Sequence, residues 1–308
     1  MHIAVVGTGL AGLAVGWHLL KEGCQITFFD ERELGQGASG VAAGLVHPYA
    51  GEKARRSQNA SESLAQMEEL LALSEQELGR PVIIHREIIR IAYSDEQRIN
   101  LKAAEDVEEI APDEFLIRSG MTVDVPSHLQ GLFLACQKKG ARHILQKVPM
   151  DGPLDGFDHT VFACGSGWSS SPFARGLPLK PMKGQVLLLR LNQPLAKSHI
   201  AKGYLARTLD PRLVYLGATY ERRFTDEQPC MESASQELLP RLSRLLPSGC
   251  TWEILGCRAG VRLCRQGDNF PFGKRIGENC WWLAGLGSKG LLYHAYLAKK
   301  LVCDILTT

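Results

Sequence analysis

A glycine turn set between two short apolar strands constrains the fold of this chain more than any other feature. Residues 3–31 read IAVVGTGLAGLAVGWHLLKEGCQITFFDE. Ile3 to Val6 form a strand, and Gly7, Gly9 and Gly12 follow as G-x-G-x-x-G. Leu10, Leu13, Leu19 and Leu20 give a helical apolar stripe that Gly23 stops, and Ile26 to Phe29 form a second strand ending in Asp30. In such a unit the first glycine makes the tight turn and the second lets a pyrophosphate approach the backbone. The third lets helix and strand pack closely. The unpaired N–H groups and positive dipole end at Leu10 and Ala11 suit a diphosphate. Asp30, with Glu31 beside it, is placed for a ribose hydroxyl. A purely structural glycine turn is the alternative, and the strand–loop–helix–strand context favours a dinucleotide.

The 308 residues suffice for two domains sharing a large core. No apolar run approaches the ~18 residues of a membrane span, and the fingerprint starts too early for a signal peptide ahead of it. A cytoplasmic location is expected. Nine scattered cysteines form no C-x-x-C pair, so mostly buried free thiols and no metal centre are expected. Cys264 is the exception to watch, as a thiol that could carry a covalently attached cofactor. Charge is uneven: residues 180–275 hold 16 lysines and arginines against 8 acids, while residues 1–179 hold 16 against 23. Such a split marks either an acidic partner or a solvated basic face with active-site arginines.

Residues 35–51, GQGASGVAAGLVHPYAG, form a small-residue run in which Ser39, Gly40, Ala42, Ala43 and Gly44 would let backbone lie against a flat ring. His47 closes that run. A helix is expected over Ala60 to Leu78, strands over 82–93, and a solvated loop or short helix over the acidic stretch 105–114. A turn at Pro126 should lead into a helix ending near Gly140. Val148 marks the expected position of another nucleotide-contacting strand. Thr160 to Cys164 read as a buried parallel strand entering a glycine turn. Cys164, Gly165 and Trp168 there are candidate cofactor contacts, although Trp168, like Trp282, also suits the core. From Lys183 onward the segments are extended and turn-separated, as in an antiparallel sheet, with a helix over about 233–246. Trp281 to Ala284, the loop GLGSKG and a helix from about Leu291 to Leu306 return to nucleotide-domain texture. Residues 1–78, 140–176 and 265–308 would then form a discontinuous cofactor domain, and 79–139 with 177–264 a substrate domain.

Several blocks together resemble one family. VVGTGLAG, GASGVAAGL, VFACGSGWS, LPLKPMKGQVLLL, LVYLGATYE, RAGVRLCRQGDNFPFG and WWLAGLGSKGL are similar, in order, to the FAD-dependent D-amino-acid oxidase/glycine oxidase type. In detail they look most like the oxidase module of the bacterial bifunctional enzymes that mature the wobble uridine of tRNA. There the substrate is a carboxymethylaminomethyl group and glyoxylate is removed. The chain lacks those enzymes' methyltransferase module and is shorter around residues 94–150.

The resemblance implies an α/β (α+β overall) architecture: a Rossmann-like FAD-binding domain and a second, mainly antiparallel β substrate domain. It implies non-covalent FAD and hydride transfer to flavin N5 from the carbon next to an amine. Arg262 matches the family's carboxylate-binding arginine in the R-x-x-x-x-x-D-x-x-P block, with Arg258 as a second candidate; a guanidinium fork binds a carboxylate bidentately. Lys289 matches a basic residue near the flavin, where a cation would stabilise negative charge on the reduced ring. Gly285, Gly287, Ser288, Gly290 and Leu291 would contribute backbone, and His47 is a third candidate for the chemistry. The substrate is then a small amine or amino acid, or a tRNA side chain. A flavin-binding protein without turnover and an NAD-dependent dehydrogenase are the competing readings, and the latter leaves the 35–51 run unexplained.

Overall fold

The structure, a computed structural model, describes residues 1–175, 177–267 and 270–308. Asp268 of the R-x-x-x-x-x-D-x-x-P block and Gly176 at the expected domain boundary lie outside the described residues. In chain order the elements begin β1 (His2–Val6), α1 (Leu10–Lys21), β2 (Gln25–Asp30), α2 (Ala38–Val41), β3 (Leu45–Val46), α3 (Ala60–Leu78), β4 (Ile83–Ile91) and α4 (Asp95–Lys102). They continue with β5 (Val107–Ala111), β6 (Glu114–Val123), α5 (Val125–Lys138), β7 (Arg142–Leu145), β8 (His159–Phe162), β9 (Leu179–Leu191), β10 (Ser198–Ile200), β11 (Tyr204–Arg207) and β12 (Leu213–Gly217). The last are α6 (Met231–Leu238), β13 (Trp252–Arg265), β14 (Phe272–Gly277), β15 (Cys280–Ala284) and α7 (Gly290–Leu306).

The described residues form two sheets. The first has the order β14-β15-β8-β1-β2-β7, with β1 parallel to both β2 and β8. Its central strands are buried at almost every position because both faces are covered. Alternate side chains point to opposite faces, so Ile3 and Val5 join one core with α1, α5 and α7 while Ala4 and Val6 join another. Trp281 and Leu283 go to the first core, and Cys280, Trp282 and Ala284 to the second. Full burial of each large side chain contributes roughly 1.5–3 kcal/mol.

The second sheet has nine strands in the order β13-β9-β12-β11-β10-β4-β6-β3, with β5 on β6. Most of its pairs are antiparallel, and the long β9–β13 pair places Arg262 opposite Met182. The chain returns from this sheet to the first through β14 and β15. We propose the domain division set out above with one qualification. Helix α5, inside 79–139, shares a core with α1 and α7, so it sits on the first sheet's side.

Three sequence expectations change. The acidic stretch 105–114 is not loop or helix: β5 pairs antiparallel with β6, and Glu108 and Glu109 stand on an exposed edge strand. Pro126 makes no separate turn but sits in the first turn of α5, where its missing N–H costs nothing. The helix over 233–246 divides into α6 and a 3-10 turn at Leu239–Arg244, since Pro240 cannot continue an α-helix. Of the thiols, Cys24, Cys136 and Cys280 are buried, whereas Cys230 and Cys303 are exposed.

A chain of buried polar groups ties the helices of the first core together. His128 Nε2 and His294 Nε2 are 3.3 Å apart, His294 Nδ1 is 2.8 Å from the Leu291 carbonyl, and His128 Nδ1 is 2.8 Å from the Ser74 hydroxyl. Neutral rings satisfy this chain: Ser74 donates to His128, His128 to His294, and His294 to Leu291. Burial holds the His294 imidazole down to about 4 and His128 well below its ordinary value, the latter helped by the facing His294. His18 on α1 is lowered to about 4 by burial and then by Lys21. The unfolded chain takes up these protons near the ordinary value of about 6.5. Between about pH 6.5 and 4 it therefore binds more protons than the folded chain, and stability falls as pH drops through that window. His18 and His294 should each contribute roughly 1–3 kcal/mol to the loss. Urea midpoints measured from pH 7 to pH 4 should decline, and His18→Gln should flatten part of that slope; an unchanged slope in the variant would contradict the assignment.

Candidate active site

The two sheets meet around a cavity of about 940 Å³. On the first-sheet side its wall begins at the turn from β1 into α1. Gly7 has φ +108°, in the region open to glycine, and a Cβ on Gly12 would lie 1.8 Å from the Gly7 carbonyl oxygen. Helix α1 can therefore start directly at the end of β1, presenting Gly9, Leu10 and Ala11 to the cavity. Gly9 is the N-cap and brings no capping side chain of its own. The Leu10 N–H donates to the Ser39 hydroxyl at 3.2 Å. Thr8 donates through both its backbone N–H and its hydroxyl to Asp30, each at 2.8 Å, which fixes that carboxylate at the cavity wall.

The small-residue run forms the next part of the wall. Gly40 packs so tightly on Gly35 that a Cβ would fall 1.7 Å from the Gly35 carbonyl. Ala42, Ala43 and Gly44 then face the cavity. Cys164 and Gly165 after β8, and Val148 after β7, face it from the neighbouring strands. Gly285, Gly287, Ser288, Lys289, Gly290 and Leu291, the loop and first turn of α7, also line the cavity, with Gly290 close to Leu10.

From the second sheet, Arg262 on β13 enters the cavity. Its guanidinium lies 5.7 Å from the Tyr220 ring centroid, and its buried Nη2 has no hydrogen-bond partner among the described residues. Gly184 makes room for it: a Cβ there would be 2.6 Å from that nitrogen. His47 is buried and lines the same cavity, and its Nδ1 also lacks a partner among the described residues. Burial, then the neighbouring Arg90, lowers its imidazole to about 3. The ring is thus neutral at ordinary pH, suited to hydrogen bonding and a weak proton acceptor.

Four candidates from the sequence do not face the cavity. Gly12 is taken up by the helix–strand contact and Gly40 by the packing on Gly35. Trp168 packs against the second core, its ring 6.3 Å from that of Trp282. Arg258 is a brace: it donates to the Gly40 carbonyl and to the Tyr215 hydroxyl, both at 2.9 Å. Cys264, too, does not line the cavity; its sulfur packs on Gly287. Cys164 does line it, and burial pushes its thiol up to about 12, so it is no ready nucleophile.

Sequence reasoning missed Thr8, Arg90, Tyr93, Lys202, Tyr204 and Tyr220, all of which line the cavity. Thr8 lay inside the fingerprint and could have been found there. The others come from turns and strands of the second sheet whose pairing no local pattern specifies. Arg90 is buried and donates to the Tyr49 and Gly51 carbonyls at 2.8 and 2.9 Å, holding the segment after His47. Tyr204 keeps its proton, its hydroxyl raised to about 12 by burial.

The family profile described as FAD dependent oxidoreductase (DAO) matches residues 2–304. The chain belongs to this family. Among curated relatives, the tRNA 5-methylaminomethyl-2-thiouridine biosynthesis bifunctional protein MnmC of Maricaulis maris is 27% identical, over 99% of this chain and 52% of that protein. Glycine oxidase of Bacillus licheniformis is 26% identical over 89% of this chain and 84% of its own length. The crystal structure of glycine oxidase from Geobacillus kaustophilus superposes with TM-score 0.82 at 21% identity, covering 99% and 94% of the two chains. The chain spans about half the length of the MnmC relatives it matches. No helix among the described residues is long and apolar enough to cross a membrane.

FAD is the family's cofactor, and the cavity fits it in two respects. The N-terminus of α1 opens onto the wall at glycines whose side-chain space is already filled, and the 42–44 run offers backbone where a flat ring needs close approach. Since Arg258 braces the Gly40 carbonyl from β13, Arg258→Met should loosen the run and weaken FAD retention by about tenfold, the loss of a charge-assisted bond. Flavin titration of the apoprotein measures this. Unchanged affinity would show that Gly40 needs no brace.

Proposed function

We propose that this chain binds FAD non-covalently in the cavity and oxidises the C–N bond of an amino acid or N-substituted glycine. The observation that carries the reading is Arg262, whose buried Nη2, unpartnered among the described residues, shares the cavity with the 42–44 run and the 285–291 loop. A buried guanidinium with an empty donor is costly unless a ligand supplies the acceptor, and a carboxylate matches its fork. When bound, FAD supplies the hydride acceptor for the carbon next to the nitrogen.

The chain's own residues supply binding and charge. Thr8 and Asp30 would meet the ribose, with Glu31 beside them, and Gly9, Leu10, Ala11 and Ser39 the diphosphate. Ala42, Ala43, Gly44, Val148, Cys164 and Gly165 would lie along the cofactor. Lys289, half-buried in the turn before α7, would place positive charge by the flavin, with Gly285, Gly287, Ser288, Gly290 and Leu291 giving backbone. Arg262 would hold the substrate carboxylate and Tyr204 would border the reacting amine with a neutral hydroxyl. His47, being neutral, would orient rather than protonate. The product imine takes up water outside the chemistry of these side chains, giving glyoxylate from a glycine-type substrate and releasing the amine.

A second reading is a carboxymethylaminomethyl side chain on tRNA. It is supported by the MnmC relatives and by the basic residues near the cavity: Arg222 and Arg223 are exposed just past Tyr220 and have no acidic partner among the described residues. Binding of that substrate would weaken steeply with salt, as turnover of a free amine would not.

The test is glyoxylate formation from glycine and sarcosine. Arg262→Ala should raise KM by about ten- to a hundredfold, the equivalent of one desolvated charge-assisted bond, with flavin content unchanged. Loss of flavin in that variant would place Arg262 elsewhere, and FAD retained without turnover of any glycine-type amine would leave cofactor binding alone.

A further inference from the structure

We propose, resting on the amine-oxidising reading above, that the cavity mouth carries a second anion-binding subsite centred on Lys202. The preferred substrate is then an N-substituted glycine with a second anionic group on its nitrogen substituent. Lys202 lies in the turn between β10 and β11, two residues before Tyr204, and lines the same cavity as Arg262. Its ammonium stands 5.5 Å from the centroid of the Tyr93 ring and has no carboxylate at ion-pair distance among the described residues.

The turn that carries Lys202 is pinned. Arg241 donates to the Lys202 carbonyl at 3.5 Å and to the Ala218 carbonyl at 3.1 Å, while Glu237 holds its other nitrogen at 2.6 Å. The Ala201 N–H also donates to the Gly203 carbonyl at 2.7 Å. The ammonium is therefore held against an aromatic face on a turn clamped to the strand end that leads to Thr219 and Tyr220. A cation placed so over a ring gains from the ring quadrupole and keeps its outer hydrogens for a ligand.

Counting charges on this half of the cavity points to two anionic groups. Arg90 is spent on two backbone carbonyls, and Glu227 pairs with Arg32. Arg262 and Lys202 remain as second-sheet cations without acidic partners among the described residues, and the acids Asp30, Glu31, Glu33 and Glu52 line the same cavity. A substrate with one carboxylate satisfies Arg262 and leaves Lys202 unused. A second carboxylate, or a phosphate-type group, gives Lys202 its partner.

Binding of dead-end sulfur analogues tests this without turnover. Thiodiacetate, the dianion, and (methylthio)acetate, the monoanion, are titrated into the FAD-loaded protein while the flavin spectrum is followed. The wild type should bind the dianion more tightly, and Lys202→Gln should shrink that preference about two- to fivefold, the range of an exposed ion pair. Glu52→Gln should widen it. A phosphonate analogue of thiodiacetate separates the two sources of charge: a preference for it over thiodiacetate assigns the subsite to phosphate-type groups, and the reverse to carboxylates. A preference that Lys202→Gln leaves unchanged, including equal weakening of both ligands, overturns the subsite. Because neither probe is oxidised, that failure is distinct from absence of amine turnover.

Discussion

Helix α1 can begin at the end of β1 because its backbone there comes against the Gly7 carbonyl, where a Cβ on Gly12 would lie 1.8 Å from the oxygen. That contact fixes the direction in which the helix dipole points, and the cavity is built outward from it. Gly9, Leu10 and Ala11 face inward as a consequence, and Thr8 is left in position to hold Asp30 from two donors. A larger residue at Gly12 would push the helix back and remove the dipole from the wall, whatever the rest of the chain did.

The second sheet completes the cavity through a few cross-connections, each of which depends on small residues. Gly44 has φ +81° and accepts the Val123 N–H at 2.9 Å, so β6 is held against the small-residue run. Gly260 on β13 leaves only the space that Ala38 and Val41 occupy, and Arg258 adds a charged bond to Gly40 nearby. The same strand then delivers Arg262 four residues later, into the room left by Gly184. The small-residue wall and the arginine in the cavity are thus set by one strand, which is why an arginine outside the cavity matters to what lies within it.

Much of this was legible in the residues, and the reasons differ by element. The βαβ unit declares itself because its signal is local: glycine spacing, helical stripe and apolar strands all lie within thirty residues. Helices α3 and α7 were equally clear, since each carries a buried stripe at helical spacing. The acidic strand β5 was not, because an edge strand buries little and its pattern is that of a solvated loop. Arg258 and Arg262 share a spacing that puts both on one strand face, yet one braces a loop and the other enters the cavity. That difference arises from what packs opposite, Gly40 in one case and Gly184 in the other, and no strand periodicity encodes it. Lys202, Tyr93 and Tyr204 converge only through the register of β4, β10 and β11.

The claim on which the rest stands is that this cavity holds FAD with a substrate carboxylate at Arg262. The most direct measurement is the visible spectrum of the protein after reconstitution with FAD and gel filtration, followed by anaerobic addition of sarcosine. The account predicts a flavin spectrum retained in stoichiometric amount and bleached by the amine. A well-folded, colourless protein that retains no FAD would contradict it.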